Sequence, residues 1–187
     1  MAYIFENKGL NMKHPTKEEC QKILNEYGTP KHVQGHCNAV AETAYKIAEA
    51  LNKNGYSLDL ELIMAAGMLH DIARVEDEHW NVGADYMKKL GLEGEEKIIR
   101  AHMHYDPFSE VKDLTETDMV CLGDRLVKED EYVGINERIQ YIIDKAKCFG
   151  HEDRIPFILT KKKDTQRLMD EIEDVIGISI DELMKGK

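Results

Sequence analysis

Six side chains able to ligate a metal stand where helical phase turns them inward: His36, His70, Asp71, His79, His102 and Asp124. Residues three or four apart share a helical face. His36 follows Val33 and precedes Val40 at that spacing, and His70 and Asp71 follow Ile63, Met64 and Gly67. His102 follows Ile98 and Ile99, His79 precedes Val82 and Gly83, and Asp124 is in phase with Val120, Cys121 and Val127. An isolated His on an apolar face is usually a satisfied core residue, and an isolated Asp usually caps a helix or pairs with a cation. Six at once ask for another explanation. Burying two carboxylates and four imidazoles unpaired costs several kcal/mol per ionised group, whereas a divalent cation turns that penalty into ligation. Mixed nitrogen and oxygen donors suit Fe, Mn, Co, Ni or Zn better than Mg or Ca.

The elements that must position these groups are helices. Apolar residues recur at three- and four-residue intervals, Gly and Pro mark the breaks, and strand-like alternation is nearly absent, so the fold class is all-α. The pattern predicts helices over about 16–27, from Pro30 to near Gly55, 59–73, 79–90 and 94–102. A sixth, capped by Asp or Thr residues at 113–117, carries Met119 to Leu126, a seventh runs from Gly134 through Ile142, and shorter ones cover 164–176 and 180–184. No repeat, low-complexity tract or linker interrupts the chain.

The 187 residues suit a single domain with an unassisted core. With 36 acidic and 25 basic side chains the net charge is -11. That excludes nonspecific binding to nucleic acid or anionic membrane, and requires a local cationic cluster for any anionic substrate. Cys20, Cys37, Cys121 and Cys148 form no CxxC pair and read as reduced core thiols. The opening MAYIFENKGLNMKHP has no apolar run long enough for a signal peptide, and no other stretch can span a bilayer, which points to a cytoplasmic protein.

Three segments in order, HCNAVAETAYKIAEAL from His36, LHDIAR with His70 and Asp71, and LGDRLV with Asp124, resemble the HD-domain superfamily of metal-dependent phosphohydrolases. HWNVGADYMKKLGL from His79 is similar to the H-x-x-V-G-A element of its two-metal subset, and IIRAHM supplies the further His, His102, that this subset uses. Ala73 and Arg74 stand where many two-metal members have Gly-Lys, which keeps the cation and changes its reach. His102, Met103 and His104 replace the adjacent His pair of some members. The resemblance implies a helical bundle with an HD core at about 32–130, an N-terminal arm 1–31 and a helical extension 131–187.

It further implies that His36, His70, Asp71 and Asp124 bind one divalent transition metal ion, with Asp71 bridging to a second held by His79 and His102. Two such ions about 3.5–4 Å apart lower the pKa of a shared water and hold phosphoryl oxygens while hydroxide attacks phosphorus. The implied reaction is hydrolysis of a phosphoester or phosphoanhydride of a small phosphorylated metabolite, nucleotides foremost, with Asp71 and Arg74 catalytic. Arg74, one turn past His70, is the leading phosphate clamp; Arg125 and Lys128 are further substrate-binding candidates, with a solvated helix face as the alternative. A di-iron oxygenase and a noncatalytic metal or nucleotide sensor are the competing functions. A ferritin-like centre needs two Glu-x-x-His pairs, and Glu76 with His79 is the single fit.

The remaining polar residues read more plainly. His104 falls about 200° round from His102 and stays outside the ligand set. His14, His32 and His151 read as surface or loop residues. Glu76 and Glu78 read as partners of a helix dipole, with orientation of His79 or a water as the alternative, and Lys161 to Lys163 as a solvated loop, with contact to a phosphate as the alternative. Leu168, Met169, Ile172, Val175 and Ile176 form a packing face, or alternatively a lid or homodimer seam. Specificity belongs to loops such as 103–115 and to the C-terminal helices.

Overall fold

The computed structural model describes residues 14–186. The expectations for residues 1–13, which are part of the N-terminal arm and most of the segment read for a signal peptide, lie outside the described residues. Helices α1 (Lys17–Tyr27), α2 (Lys31–Lys53), α3 (Leu60–Leu69), α4 (His79–Lys89), α5 (Glu93–Ala101) and α6 (Glu116–Leu126) lead to a two-stranded hairpin, β1 (Val127–Lys128) with β2 (Glu131–Tyr132). Helices α7 (Gly134–Cys148), α8 (Ile155–Ile176) and α9 (Ile180–Met184) follow, so the fold is an all-α bundle. Among the described residues no helix is long and apolar enough to cross a membrane.

Helix boundaries follow local chemistry. Thr16 and Glu19 form a capping box on α1, and Thr115 with Asp118 forms another on α6, each satisfying backbone N–H groups that a helix start leaves open. Helix α2 is the central rod: Val33, Cys37, Val40, Ala44, Ile47 and Leu51 are all buried. Each such aliphatic side chain contributes about 1.5–3 kcal/mol on leaving water.

Helices α3 and α6 lie close on α2 because two glycines permit it. A Cβ on Gly67 would stand 2.7 Å from Ala41 Cα, and one on Gly123 would stand 2.8 Å from the Val40 carbonyl oxygen. These contacts fix the distance between the helix carrying His36 and the elements carrying His70, Asp71 and Asp124. One apolar group joins α2, α3 and α6 to α7, α8 and α9; a second joins α1, α3, α4 and α5.

Three expectations are corrected. The third helix ends at Leu69, not Ala73: residues 70–75 turn tightly through bonds such as Arg74 N–H to Asp71 C=O (2.9 Å), while the Thr29 hydroxyl takes the Ile72 carbonyl (2.7 Å). Helix α8 begins at Ile155 rather than 164, with Pro156 in its first turn. Its first half displays Phe157 and Leu159, 59% and 42% exposed, so it lacks the apolar stripe that marks a packed helix. Lys161 to Lys163 are therefore helical, not a loop. Lastly, His14 is not a surface residue: its side chain is 5% exposed and its Nδ1 lies 2.8 Å from Glu95 Oε1.

Farther along α8, Leu168, Met169 and Ile172 are buried in the chain's own core. They are a packing face. His32 and His151 are exposed.

Candidate metal centre

Helix α2 delivers His36, the end of α3 delivers His70 and Asp71, the first residue of α4 is His79, His102 follows α5, and Asp124 lies in the last turn of α6. The bundle brings all six together. His36, His70 and Asp71 form one group whose donor atoms lie within 4.8 Å of one another, and Asp71, His79 and His102 form another. Asp71 belongs to both. The His70 ring is 5.4 Å from that of His36 and 5.3 Å from that of His102, centroid to centroid. Asp124 closes the first group, its Oδ1 3.1 Å from His36 Nε2.

Backbone carbonyls aim three of the imidazoles. His70 Nδ1 lies 2.8 Å from the Gly67 carbonyl, His102 Nδ1 lies 2.6 Å from that of Ile99, and His36 Nδ1 lies 2.7 Å from that of Glu129. The first two are three residues upstream, at the frayed end of the same helix, where C=O groups lack intrahelical donors. The third comes from the β1–β2 turn, with Glu129 at a left-handed φ of 55°. In each ring Nδ1 donates outward, which leaves Nε2 facing the centre.

The charge state follows from these partners. Burial pushes the His70 imidazole down to about 4. Burial also acts to lower His36 and His102, but the carboxylates of Asp124 and Asp71 respectively outweigh it, and both rings are raised above the ordinary imidazole value. Burial acts to raise Asp71, and the imidazoles of His70, His102 and His79 with the Arg74 guanidinium, all close to it, instead hold it well below the usual carboxylate range. Asp124 is held low in the same manner by His36, His70 and Arg138.

Asp71 Oδ1 lies 3.1 Å from His79 Nε2 and 3.5 Å from His102 Nε2. Even so, Asp71 Oδ1, His70 Nε2 and His102 Nε2 are buried without a hydrogen-bond partner. An unsatisfied buried polar atom costs about 1–3 kcal/mol, and three pointing at one place are a strong demand for a ligand. His79 Nε2 accepts from Arg74 Nη1 at 3.1 Å and lies 3.1 Å from Asp71 Oδ1, at the edge of the same space. Imidazole nitrogens around a shared carboxylate are a donor set that fits divalent transition ions. The residues present therefore suit metal binding, and the second group suits a second ion as well as the first group suits one.

The other expected residues are placed as follows. Arg74 is half-exposed, with Nε 3.5 Å from Asp71 Oδ2, at the rim of the cluster. Arg125 is engaged by neutral partners: Nη2 donates to the Tyr105 carbonyl (2.5 Å), Nη1 donates to Thr165 Oγ1 (3.2 Å), and the guanidinium lies 4.3 Å from the Phe108 ring centre. Lys128 turns to Glu137 at 3.0 Å. Glu76 meets the Tyr27 hydroxyl rather than His79. His104 is exposed and rests against Trp80, with 5.0 Å between ring centres.

Two participants escaped the sequence reading. Arg138 of α7 places Nη2 3.6 Å from Asp124 Oδ1, and its Nε is buried without a partner. Its phase three residues after buried Ile135 was a signal of the same kind as the histidines gave. The Glu129 carbonyl has no side-chain signature at all.

Comparison with known proteins agrees with this geometry. The chain is 40% identical over 149 residues to an uncharacterized protein of Methanocaldococcus jannaschii, covering 78% of this chain and 74% of that one. It is 26% identical over 185 residues to a tRNA (cytidine(56)-2'-O)-methyltransferase of Thermoplasma volcanium, covering 90% of this chain. The matched region spans 50% of the methyltransferase's length. No solved structure matches. The sequence model of the HD domain matches residues 33–145, from the start of α2 into α7, and so takes in all six clustered side chains. The chain thus belongs to the HD-domain family.

Proposed function

We propose that this protein is a metal-dependent phosphohydrolase that cleaves a phosphoester or phosphoanhydride of a small metabolite, with nucleotides the leading class. The observation that supports it most is the pair of donor groups sharing Asp71, in which Asp71 Oδ1, His70 Nε2 and His102 Nε2 lack partners among the described residues, in a chain of the HD family. His36, His70, Asp71 and Asp124 would hold one ion, and Asp71, His79 and His102 a second. Bound there, divalent cations supply Lewis acidity to a phosphoryl oxygen and acidify a water molecule.

The chain's own residues do the rest. Asp71 stays ionised at neutral pH because its neighbours hold its pKa low, so it offers both oxygens without first losing a proton. The carbonyls of Gly67, Ile99 and Glu129 fix ring orientation and tautomer. Arg74, at the rim and half-exposed, can swing from His79 to phosphoryl oxygens and bind them in a bidentate manner. Trp80, half-buried beside His79, offers aromatic surface for a base. The chain's net charge of -11 favours a small substrate gathered by local cations over a polyanion bound across the surface.

The test is phosphate release from a panel of nucleoside phosphates and other phosphoesters by metal-loaded protein, with Asp71→Ala beside the wild type. Turnover that falls to background in the variant, with helical circular dichroism retained, supports the proposal. Metal-dependent turnover that survives in Asp71→Ala contradicts it. Oxygen consumption by an iron-loaded sample that releases no phosphate would contradict it too, in favour of oxygenase chemistry.

A further inference from the structure

Helix α8 lies wholly beyond the residues matched to the HD domain, yet it places a cation within electrostatic reach of Asp124. Lys161 is half-buried, and among the described residues its ammonium forms no ion pair; its one specific contact is the Phe157 ring, 5.0 Å from Nζ. A lysine in that setting ordinarily finds a carboxylate. Here its neighbour has the same sign. Arg125 Nη1 donates to Thr165 Oγ1, and Thr165, one turn on from Lys161, donates back to the Lys161 carbonyl at 2.8 Å. Residues four apart share a helix face, so Lys161 stands on the face that Arg125 meets.

The surroundings neutralise this pair only in part. Arg125 is oriented by a carbonyl, a hydroxyl and an aromatic ring, none of which carries charge and which leave further N–H groups open, and its ion pair with Asp106 is long, at 4.0 Å. Asp124, next in sequence, is already taken up by His36 and Arg138. Burial, followed by the Arg125 charge, lowers the Lys161 pKa, while Asp106, Cys121 and Asp124 act against this. The same helix α6 that carries Asp124 carries Cys121, whose thiol approaches the His102 carbonyl at 4.0 Å. The cation pair therefore lies beside α6, the helix that carries Asp124, with Asp106 at its edge.

We infer that Lys161 and Arg125 form a second anion position, so that the substrate carries a second phosphate besides the one hydrolysed, as a diphosphate or a bis-phosphorylated metabolite does. The inference rests on the phosphohydrolase reading for which phosphate reacts; the anion position itself does not. Arg125 is the preorganised half, held by three neutral contacts, and Lys161 is the mobile half, free to close on an oxygen.

The probes are inorganic phosphate and pyrophosphate, titrated calorimetrically into purified protein whose metal content has been measured. Wild type should bind pyrophosphate more tightly than phosphate. Lys161→Met should weaken pyrophosphate binding about tenfold and erase that preference. Lys161→Arg should restore it, and Lys163→Met, an exposed neighbour on the same helix, should leave it unchanged. Equal pyrophosphate affinity in wild type and Lys161→Met overturns the inference, as does equal loss in Lys161→Met and Lys161→Arg, which would mark a packing role. Phosphate release is followed on the same samples. A protein that releases no phosphate but keeps the Lys161-dependent preference refutes the phosphohydrolase reading alone; turnover with binding indifferent to Lys161 refutes this inference alone.

Discussion

The imidazole of His36 is anchored by the main-chain carbonyl of Glu129 at 2.7 Å, across 93 residues of sequence. The short β1–β2 hairpin thus has a task in the site: its turn presents one carbonyl to one ring nitrogen, and the other nitrogen is left facing Asp124 and the centre.

Glu129 adopts a φ of 55° to make that presentation. A β-branched residue there meets its own backbone, so Glu129→Val should cost about 1–2 kcal/mol and lower metal affinity by misdirecting His36. Glu129→Gly should match or slightly exceed wild-type stability with metal affinity kept. Chemical denaturation and metal titration of the two variants check this, and equal behaviour would show that the turn does not position His36.

Gly67 tests the packing that brings the ligands together. Its absent Cβ leaves room for the Ala41 backbone, and its carbonyl holds His70. Gly67→Ala should force α2 and α3 apart at a cost of about 1–3 kcal/mol, with a fall in metal content at equal protein concentration. A variant with unchanged melting temperature would mean that the helices yield more easily than this crossing implies.

The thiols report on the core. Cys20, Cys37 and Cys121 are buried as core thiols, but Cys148, expected there too, is exposed at the end of α7. Burial pushes the Cys20 thiol up to about 12, with Glu95 adding to it, and burial raises Cys37 and Cys121 as well. Native protein near neutral pH should therefore take up one equivalent of a thiol reagent, and four after denaturation. Rapid labelling of a second cysteine in the folded state would contradict the burial of α1, α2 or α6.

Chelator-treated protein should show two opposed pH trends. His36 and His102 have folded values raised above 6.5, so their contribution is full below that value and is lost as pH rises through the folded pKa. His70 is lowered to about 4, so its contribution is present above 6.5 and is lost as pH falls from there. Stability of this form should peak near the ordinary imidazole value, whereas metal affinity should keep rising through the same range because ligation requires neutral imidazole. Urea denaturation from about pH 5 to about pH 9 tests the first part; a monotonic rise across that range in chelator-treated protein would contradict it.

Much of this was legible in the sequence, for a physical reason. A polar residue on an apolar stripe stands out whenever a helix is regular, and His36, His70, Asp71, His79, His102 and Asp124 all occupy regular helices or the turn just after one. The misses lie where that regularity fails. Helix α8 begins with Phe157 and Leu159 turned to solvent, so no amphipathic pattern announces it, and from sequence Lys161 reads as part of a loop. His14 stands before the first helix with no phase to show that Glu95, on a distant helix, would cover it. The Glu129 carbonyl is backbone, which residue identity does not reveal. Arg138 is the exception: its spacing from Ile135 was informative, but a long cation on a helix is ordinarily a surface residue.

If the two donor groups around Asp71 hold two transition metal ions, elemental analysis of protein purified without added metal, as moles of each metal per chain, should find about two ions per chain in the wild type and one or none in a His79→Ala, His102→Ala double variant. A wild type that binds no transition metal, even after reconstitution, would contradict that assignment.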